Sequence, residues 1–110
     1  MKLAIVGSRS VTNIQIERYI TEETEEIVSG GAKGVDSLAA EYAKSKGLKL
    51  TEFLPQYERF GRAAPIVRNK TIVEYSDKII VFWDGKSKGA LSVIKHAEKI
   101  EKPLEIIICE

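Results

Sequence analysis

A glycine-rich turn at residues 29–36, with the sequence SGGAKGVD, constrains the fold of this chain more than any other stretch. An apolar run at 26–28 precedes the turn, and apolar residues recur at helical spacing from Val35 to Ala43 after it. The order is therefore strand, tight turn, helix. Such a turn leaves backbone N–H groups free at the positive end of a helix dipole, where a phosphate or another anion binds well.

The turn departs from two well-known phosphate-binding motifs. The dinucleotide fingerprint G-x-G-x-x-G requires glycine where this chain has Ser29, and only Gly31 and Gly34 keep its spacing. The Walker motif is also absent, because Ile80 occupies the position of its first glycine ahead of GKS at 85–87. Spacing alone leaves two interpretations open, a phosphate site or a tight turn without a ligand.

Length and composition limit the classes of protein that fit. With 110 residues, of which 44% are hydrophobic and 30% charged, the chain is predicted to form one domain over residues 1–110. A net charge of +1 gives the protein no overall electrostatic attraction to nucleic acid or membranes. The single cysteine, Cys109, excludes an internal disulfide and a cysteine-based zinc cluster, and no metal site is expected. No long apolar segment or signal peptide is visible, so we expect a cytoplasmic protein without a membrane partner.

Apolar runs alternate with helical patterns along the whole chain. The runs predict five strands, near 2–6, 26–28, 49–54, 78–82 and 104–108. The helical patterns lie between them, near 13–20 with a cap at Thr12 or Asn13, and near 35–47, 65–75 and 90–100. Right-handed crossovers then predict an α/β fold of the Rossmann-like three-layer type, with a parallel sheet in the order 3-2-1-4-5 and helices on both faces.

Three predicted loops meet beyond the C-terminal ends of the strands, where ligands of such sheets bind. They span 7–12, 29–36 and 84–89, and all are rich in glycine, serine and cationic residues. Their convergence favours an anionic ligand over an empty turn. The predicted binding residues of these loops are Gly7, Ser8, Arg9, Ser29, Gly30, Gly31, Ala32, Lys33, Gly34, Asp36, Asp84, Gly85, Ser87, Lys88 and Gly89.

Three motifs in this order resemble the SLOG superfamily, the Rossmann-like group that holds the DNA-processing Smf/DprA proteins and the lysine-decarboxylase-like LOG proteins. The motifs are GSR at 7–9, SGGAKGVD at 29–36 and PIVRN at 65–69. The resemblance covers nearly the whole chain and is closest to the small, single-domain YspA-type branch. It implies a nucleotide or nucleotide-derived phosphorylated ligand, with no further cofactor required. It also adds Arg68 and Asn69 to the site and implies homodimers, which are common among such relatives.

Several of these side chains have a structural alternative to ligand binding. Ser8 and Ser29 either donate to a phosphate or satisfy backbone groups of their own turns. Lys33 is either a phosphate partner or a solvated surface residue. Asp36 stabilises its helix through the dipole and would repel a phosphate on the helix axis. The donor fork of Arg9 suits a phosphate, and its loop position favours that role over pairing with a surface acid.

The segment before the third helix carries two similar ambiguities. Arg68 either belongs to the ligand site or pairs with an acid such as Glu74. Tyr57 and Phe60 either stack on a base or seal the edge of the sheet.

Three functions remain open at this stage. We favour a nucleotide-binding sensor or carrier without chemistry of its own. Resemblance to the LOG branch suggests instead a hydrolase that cuts the N-glycosidic bond of a nucleotide. Resemblance to the DNA-processing branch suggests binding of single-stranded DNA, which the net charge of +1 and the lack of a basic cluster with interleaved aromatics disfavour.

An efficient glycosidase is not expected. The LOG branch carries P-G-G-x-G-T-x-x-E after its fourth strand, and its glutamate serves the glycosidic chemistry. Alignment on Gly89 puts Ala90 at the threonine and Val93 at the glutamate. A valine cannot transfer a proton, so acid–base help worth about 10²–10⁴-fold is missing. Asp36 and Asp84 are the remaining candidates for a catalytic carboxylate.

Overall fold

A computed structural model of the chain describes residues 1–31 and 34–109. Two predicted binding residues, Ala32 and Lys33, lie outside these ranges. The described strands, β1 to β5, are Lys2–Gly7, Glu26–Ser29, Lys49–Glu52, Lys78–Trp83 and Leu104–Ile108. The described α-helices, α1 to α4, are Val35–Lys46, Tyr57–Phe60, Ala64–Tyr75 and Lys88–Lys99.

All five strands run parallel in one sheet with the order β3-β2-β1-β4-β5, which confirms the predicted fold. The central strand is β1, where Leu3 lies beside Ile27 of β2 and Lys78 of β4. Its apolar run is continuous because both faces of the sheet are covered. The carboxyl ends of β1, β2 and β4 consequently meet at one edge of the sheet.

Two hydrophobic cores lie on opposite faces of this sheet. Under α1, the core includes Leu3, Ile5, Ile27, Val35, Ala39, Ile80 and Phe82. Under α3 and α4, it includes Ala4, Val28, Ile72, Val73, Val81, Val93 and Ala97. Alternate residues of β1 enter opposite cores, as the period of a strand requires.

The helix predicted near 13–20 is wrong in its extent. The structure has only a short 3₁₀ helix at Ile16–Tyr19, and its N-cap is Gln15 rather than Thr12 or Asn13. Ile14 lies only two residues before Ile16, which does not fit a single helical face, and Ile16 alone among the four residues of the 3₁₀ helix is buried. By contrast, α3 begins at Ala64 with a proline in its first turn, as predicted from Pro65.

The buried carboxylate of Glu26 connects β2 to β3 and α3 at the N-terminal edge of the sheet. Glu26 is 8% exposed, and it accepts hydrogen bonds from the hydroxyls of Tyr75 at 2.6 Å and Thr51 at 2.8 Å. Burial raises the pKa of Glu26, but these two hydrogen bonds and the charge of Lys49 outweigh it, so the pKa lies below its ordinary value. The carboxylate is therefore ionised and stabilises the fold at neutral pH.

Replacement of Tyr75 by phenylalanine is expected to lower the free energy of unfolding at pH 7 by about 1.5–3 kcal/mol, because a buried carboxylate loses a donor. The full reduction in the free energy of unfolding should be seen above the unfolded-state pKa of Glu26. The reduction should become smaller as pH falls through the lower folded-state pKa. Urea unfolding at pH 7 and at pH 3 measures both effects. Tyr57→Phe is the matched control, since Tyr57 is 59% exposed. Equal effects of the two substitutions would contradict the expectation.

Candidate functional site

A groove of about 490 Å³ opens at the C-terminal edge of the sheet, between the ends of β1 and β4 and the first turns of α3 and α4. We call it the rim groove. It brings together seven of the predicted binding residues, which are Gly7, Arg9, Arg68, Asn69, Asp84, Ser87 and Gly89. The groove therefore combines two arginines with a helix N-terminus.

Ser8 lies beneath this groove and joins the loops that follow β1 and β4. Its backbone N–H donates to the carbonyl of Phe82 at 3.0 Å, and its hydroxyl oxygen accepts from the N–H of Asp84 at 3.2 Å. The residue is only 2% exposed. Ser8 thus hydrogen-bonds the backbone of the loop after β4, as its structural alternative predicts, and its hydroxyl keeps its own hydrogen as a donor.

Asp84 organises the loop after β4. Its carboxylate accepts from the Ser10 hydroxyl and from the backbone N–H groups of Lys86 and Ser87, each at 2.8 Å. The N–H groups of Ser87 and Lys86, followed by the Ser10 hydroxyl, lower the pKa of Asp84 to about 2. An acid with this pKa is ionised near neutrality and cannot serve as a general acid there. Next to it, Gly85 has a φ of +82°, which the turn requires.

Arg68 reaches across the site from α3 to the loop after β2. Its Nη1 donates to the carbonyl oxygen of Gly30 at 2.9 Å, and its Nε donates to Oδ1 of Asn69 at 2.9 Å. Burial lowers the pKa of Arg68, while the nearby carboxylate of Asp36 acts in the opposite direction. Arginine stays protonated under such a shift. The pairing with Glu74 that the sequence left open does not form, because Glu74 contacts His96.

Gly30 is the residue that lets Arg68 approach so closely. A Cβ at this position would lie 2.6 Å from Nη1 of Arg68 and 3.2 Å from Oδ2 of Asp36. In the structure the guanidinium of Arg68 occupies the space that a side chain at this position would need. Arg68 is consequently a positioning residue for the loop as well as a donor at the groove.

Asn69 continues the connection from α3 to α4. Its Nδ2 donates to the Ser92 hydroxyl at 2.9 Å and to the Gly89 carbonyl at 3.4 Å. The side chain is therefore fixed on both sides, by Arg68 and by α4. The side chain of Asn69 therefore has a fixed orientation in the wall of the rim groove.

The start of α1 is less open to an anion than the sequence suggested. Gly34 precedes α1 with a φ of +77°, and a Cβ there would lie 3.0 Å from the carbonyl oxygen of Val11. The buried carboxylate of Asp36 lies in the first turn. Ser29 accepts from the N–H of Gly31 at 3.2 Å, which uses one N–H of the turn internally. Carbonyl and carboxylate oxygens near this helix end repel an anion on the α1 axis.

The first turn of α4 is the more accessible helix N-terminus. Ser87 is its N-cap and accepts from the N–H of Ala90 at 3.4 Å. A Cβ on Gly89 would meet nothing closer than the Ser87 hydroxyl oxygen at 3.9 Å. Ser87 and Gly89 both line the rim groove, and Lys88 between them is exposed. Arg9 is exposed as well, and among the described residues it forms no ion pair within 4.0 Å.

A smaller pocket of about 180 Å³ shares Arg68 with the rim groove. Phe53, Phe60 and Val67 supply apolar walls, and the guanidinium of Arg59 lies 5.0 Å from the ring centroid of Phe60. We call it the aromatic pocket. Sequence reasoning raised Phe60 only as an alternative and missed Phe53 and Arg59. The signal that was present is the run of aromatic and cationic residues at 53–62.

The described residues were compared with what a metal site and a membrane-spanning helix require. Among the described residues, no three or more histidine, cysteine, aspartate or glutamate side chains are grouped so that they could hold a metal ion. In the same part of the chain, no helix combines the length and the apolar character that crossing a membrane requires.

The first half of the chain matches a known protein family. Residues 1–56 match the family model described as DNA recombination-mediator protein A. That range is just over half of the 110-residue chain, and it contains the loops after β1 and β2 with their GSR and SGGAKGVD sequences. The comparison with curated proteins gave no match.

Proposed function

The chain belongs to the DNA recombination-mediator protein A family, and from this premise we propose that the rim groove binds the sugar–phosphate backbone of single-stranded DNA. The domain would hold the strand without cutting it. The finer assignment to the small YspA-type branch rests on the three sequence motifs and is part of this proposal.

One observation carries the proposal, namely that Arg68 forms a wall of both the rim groove and the aromatic pocket. A groove with arginine donors and a helix N-terminus suits a phosphate. Aromatic side chains beside such a groove suit a base, and the combination is typical of proteins that bind single strands. The phosphate and the base of one nucleotide would thus lie on opposite sides of the same guanidinium.

The net charge of +1 argued against DNA, but charge is not evenly distributed over this protein. Arg9, Arg59, Arg68 and Lys88 all lie around the rim groove and the aromatic pocket. Asp84, the carboxylate that lines the rim groove, is engaged by three hydrogen-bond donors, and Asp36 lies next to Arg68. The local field at this edge is therefore more favourable to phosphate than the overall charge suggests.

A free nucleotide is the second candidate ligand. The volume of the rim groove, about 490 Å³, falls in the range of pockets for small molecules. This keeps the sensor or carrier function as an alternative for the same residues. In hydrolysis of a nucleotide, Asp84 could not act as the general acid near neutral pH, because its carboxylate is held ionised.

Arg9→Ala is expected to weaken binding of a fluorescent 15-nucleotide oligo(dT) by about 10- to 100-fold, because a charge-assisted hydrogen bond is lost. Fluorescence anisotropy at several salt concentrations measures the affinity, which should fall as salt rises. Arg18→Ala is the matched control, since Arg18 is an exposed arginine of the 3₁₀ helix.

Competition separates the two ligands. Under the DNA proposal, dTMP at millimolar concentration displaces the oligonucleotide only weakly. Tight binding of dTMP without measurable binding of oligo(dT) would replace the DNA proposal by the nucleotide alternative. Failure of wild-type protein to bind either probe would overturn both.

A further inference from the structure

We propose that single-stranded DNA continues from the rim groove into a second, cationic groove between α3 and α4. This inference rests on the proposed function. The second groove has a volume of about 250 Å³ and is lined by Lys70 of α3 and by Lys95 and Lys99 of α4, among others. We call it the helix groove.

The two grooves are adjacent because Asn69 lines both of them. Its hydrogen bond to Ser92, at 2.9 Å, forms a bridge across the junction. Ser92 also belongs to the helix groove. A strand that leaves the rim groove past Asn69 therefore meets the helix groove directly.

Three lysines of α4 form a stripe along this path. Lys95 and Lys99 follow Lys88 by 7 and 11 residues, close to two and three full helical turns, so all three lie on one side of α4. A rise of 1.5 Å per residue separates successive lysines by about 10 and 6 Å along the axis. Lys88 lies in the first turn at the rim groove, and Lys99 is the last residue of the helix. The stripe thus runs along the whole helix from the rim.

These lysines are available to an external anion. Lys70, Lys88, Lys95 and Lys99 are exposed, and within the described chain none of them forms an ion pair within 4.0 Å.

One carboxylate, that of Glu74, contacts a residue of this groove. Glu74 contacts Nε2 of His96 at 3.2 Å. No carboxylate lines the helix groove itself within the part of the chain that the structure describes. Ile66, which is 52% exposed, adds an apolar wall against which a base can pack. A groove lined by cations, with one apolar contact and no carboxylate in its described wall, suits a nucleic-acid strand.

The experiment compares two lengths of oligo(dT), 5 and 15 nucleotides, on the charge-reversal variant K95E/K99E. We expect the affinity for the 15-nucleotide probe to fall about tenfold or more, with binding of the 5-nucleotide probe unchanged. The slope of log affinity against log salt for the long probe should decrease by about 1.4, since each phosphate contact on a single strand contributes about 0.7.

The control variant is K44E/K46E. These lysines are also exposed and lie in the last turn of α1, which packs on the opposite face of the sheet. The control makes the same change in net charge, so it should leave both affinities near the wild-type values. The neutral variant K95Q/K99Q should show about half the loss of affinity for the long probe. It is the control for local unfolding caused by the reversed charges.

Each outcome decides the proposal. Unchanged affinity of K95E/K99E for the long probe would overturn the helix groove and leave the rim groove standing. Equal losses for both probe lengths would overturn it as well, because the lysines would then act through general charge. If wild-type protein binds neither probe, the proposed function fails and the helix groove fails with it.

Discussion

Replacement of Gly7 by alanine is expected to lower the free energy of unfolding by about 3 kcal/mol, the upper end of the usual cost of overpacking. The new methyl group would overlap Cβ and Cγ2 of Val35 and lie 3.0 Å from its Cγ1. Val35 is fully buried at the first turn of α1, so it cannot move aside without shifting the helix. The glycine therefore sets how closely α1 packs against the end of β1.

Urea unfolding of Gly7→Ala, with Gly89→Ala as control, measures this effect. Gly89 lies in α4 and has room for a methyl group, so alanine should be neutral or stabilising there. The double variant Gly7→Ala/Val35→Gly should be less destabilised than the sum of its single variants, because Cβ and both Cγ atoms that overlap the new methyl group are removed. Strict additivity would show that the contact with Val35 is not the cause.

Arg68→Ala is expected to weaken binding of oligo(dT) by 100-fold or more, a larger loss than at Arg9. The substitution removes a wall shared by the rim groove and the aromatic pocket. It also releases the carbonyl of Gly30 and removes a positive charge near Asp36. Loss of the donor, release of the loop and loss of this positive charge all act in the same direction.

Arg68→Lys distinguishes geometry from charge. Lysine keeps the positive charge but lacks the planar fork that contacts Gly30 and Asn69 together. We therefore expect it to recover little of the lost affinity in the anisotropy measurement. Arg62→Lys, in the exposed segment before α3, is the control. Wild-type affinity in Arg68→Lys would mean that charge alone matters, and wild-type affinity in Arg68→Ala would remove the rim groove as the binding site.

The strands and their order follow from the sequence because the sheet is buried on both faces. Each buried strand has an uninterrupted apolar run, and right-handed crossovers leave few ways to connect such runs. The prediction of a full helix at 13–20 was wrong because the apolar residues of this segment pack onto the core that β1 and α1 form. Tertiary packing then fixes only one short turn, Ile16–Tyr19, without the full helix that local propensity suggested.

The candidate site could be located from the sequence, but the task of each side chain could not. Parallel strands bring their C-terminal loops together, which is a consequence of topology alone. The contacts between those loops join distant positions, since Ser8 and Asp84 are 76 residues apart and Arg68 and Gly30 are 38 apart. No local pattern reveals such pairs. The aromatic pocket is different, because Phe53 and Arg59 lie close together in the run at 53–62, which did not match a known motif.

The short strand β2 is held by α3 at both of its ends. Tyr75, the last residue of α3, bonds to Glu26, the first residue of β2, and Arg68 bonds to Gly30 immediately after the strand. The first bond joins positions that lie 49 residues apart in the sequence, and the second joins positions that lie 38 apart. We therefore expect a substitution at Glu26 to be better tolerated together with a matching substitution at Tyr75, so that these two distant positions covary among related sequences.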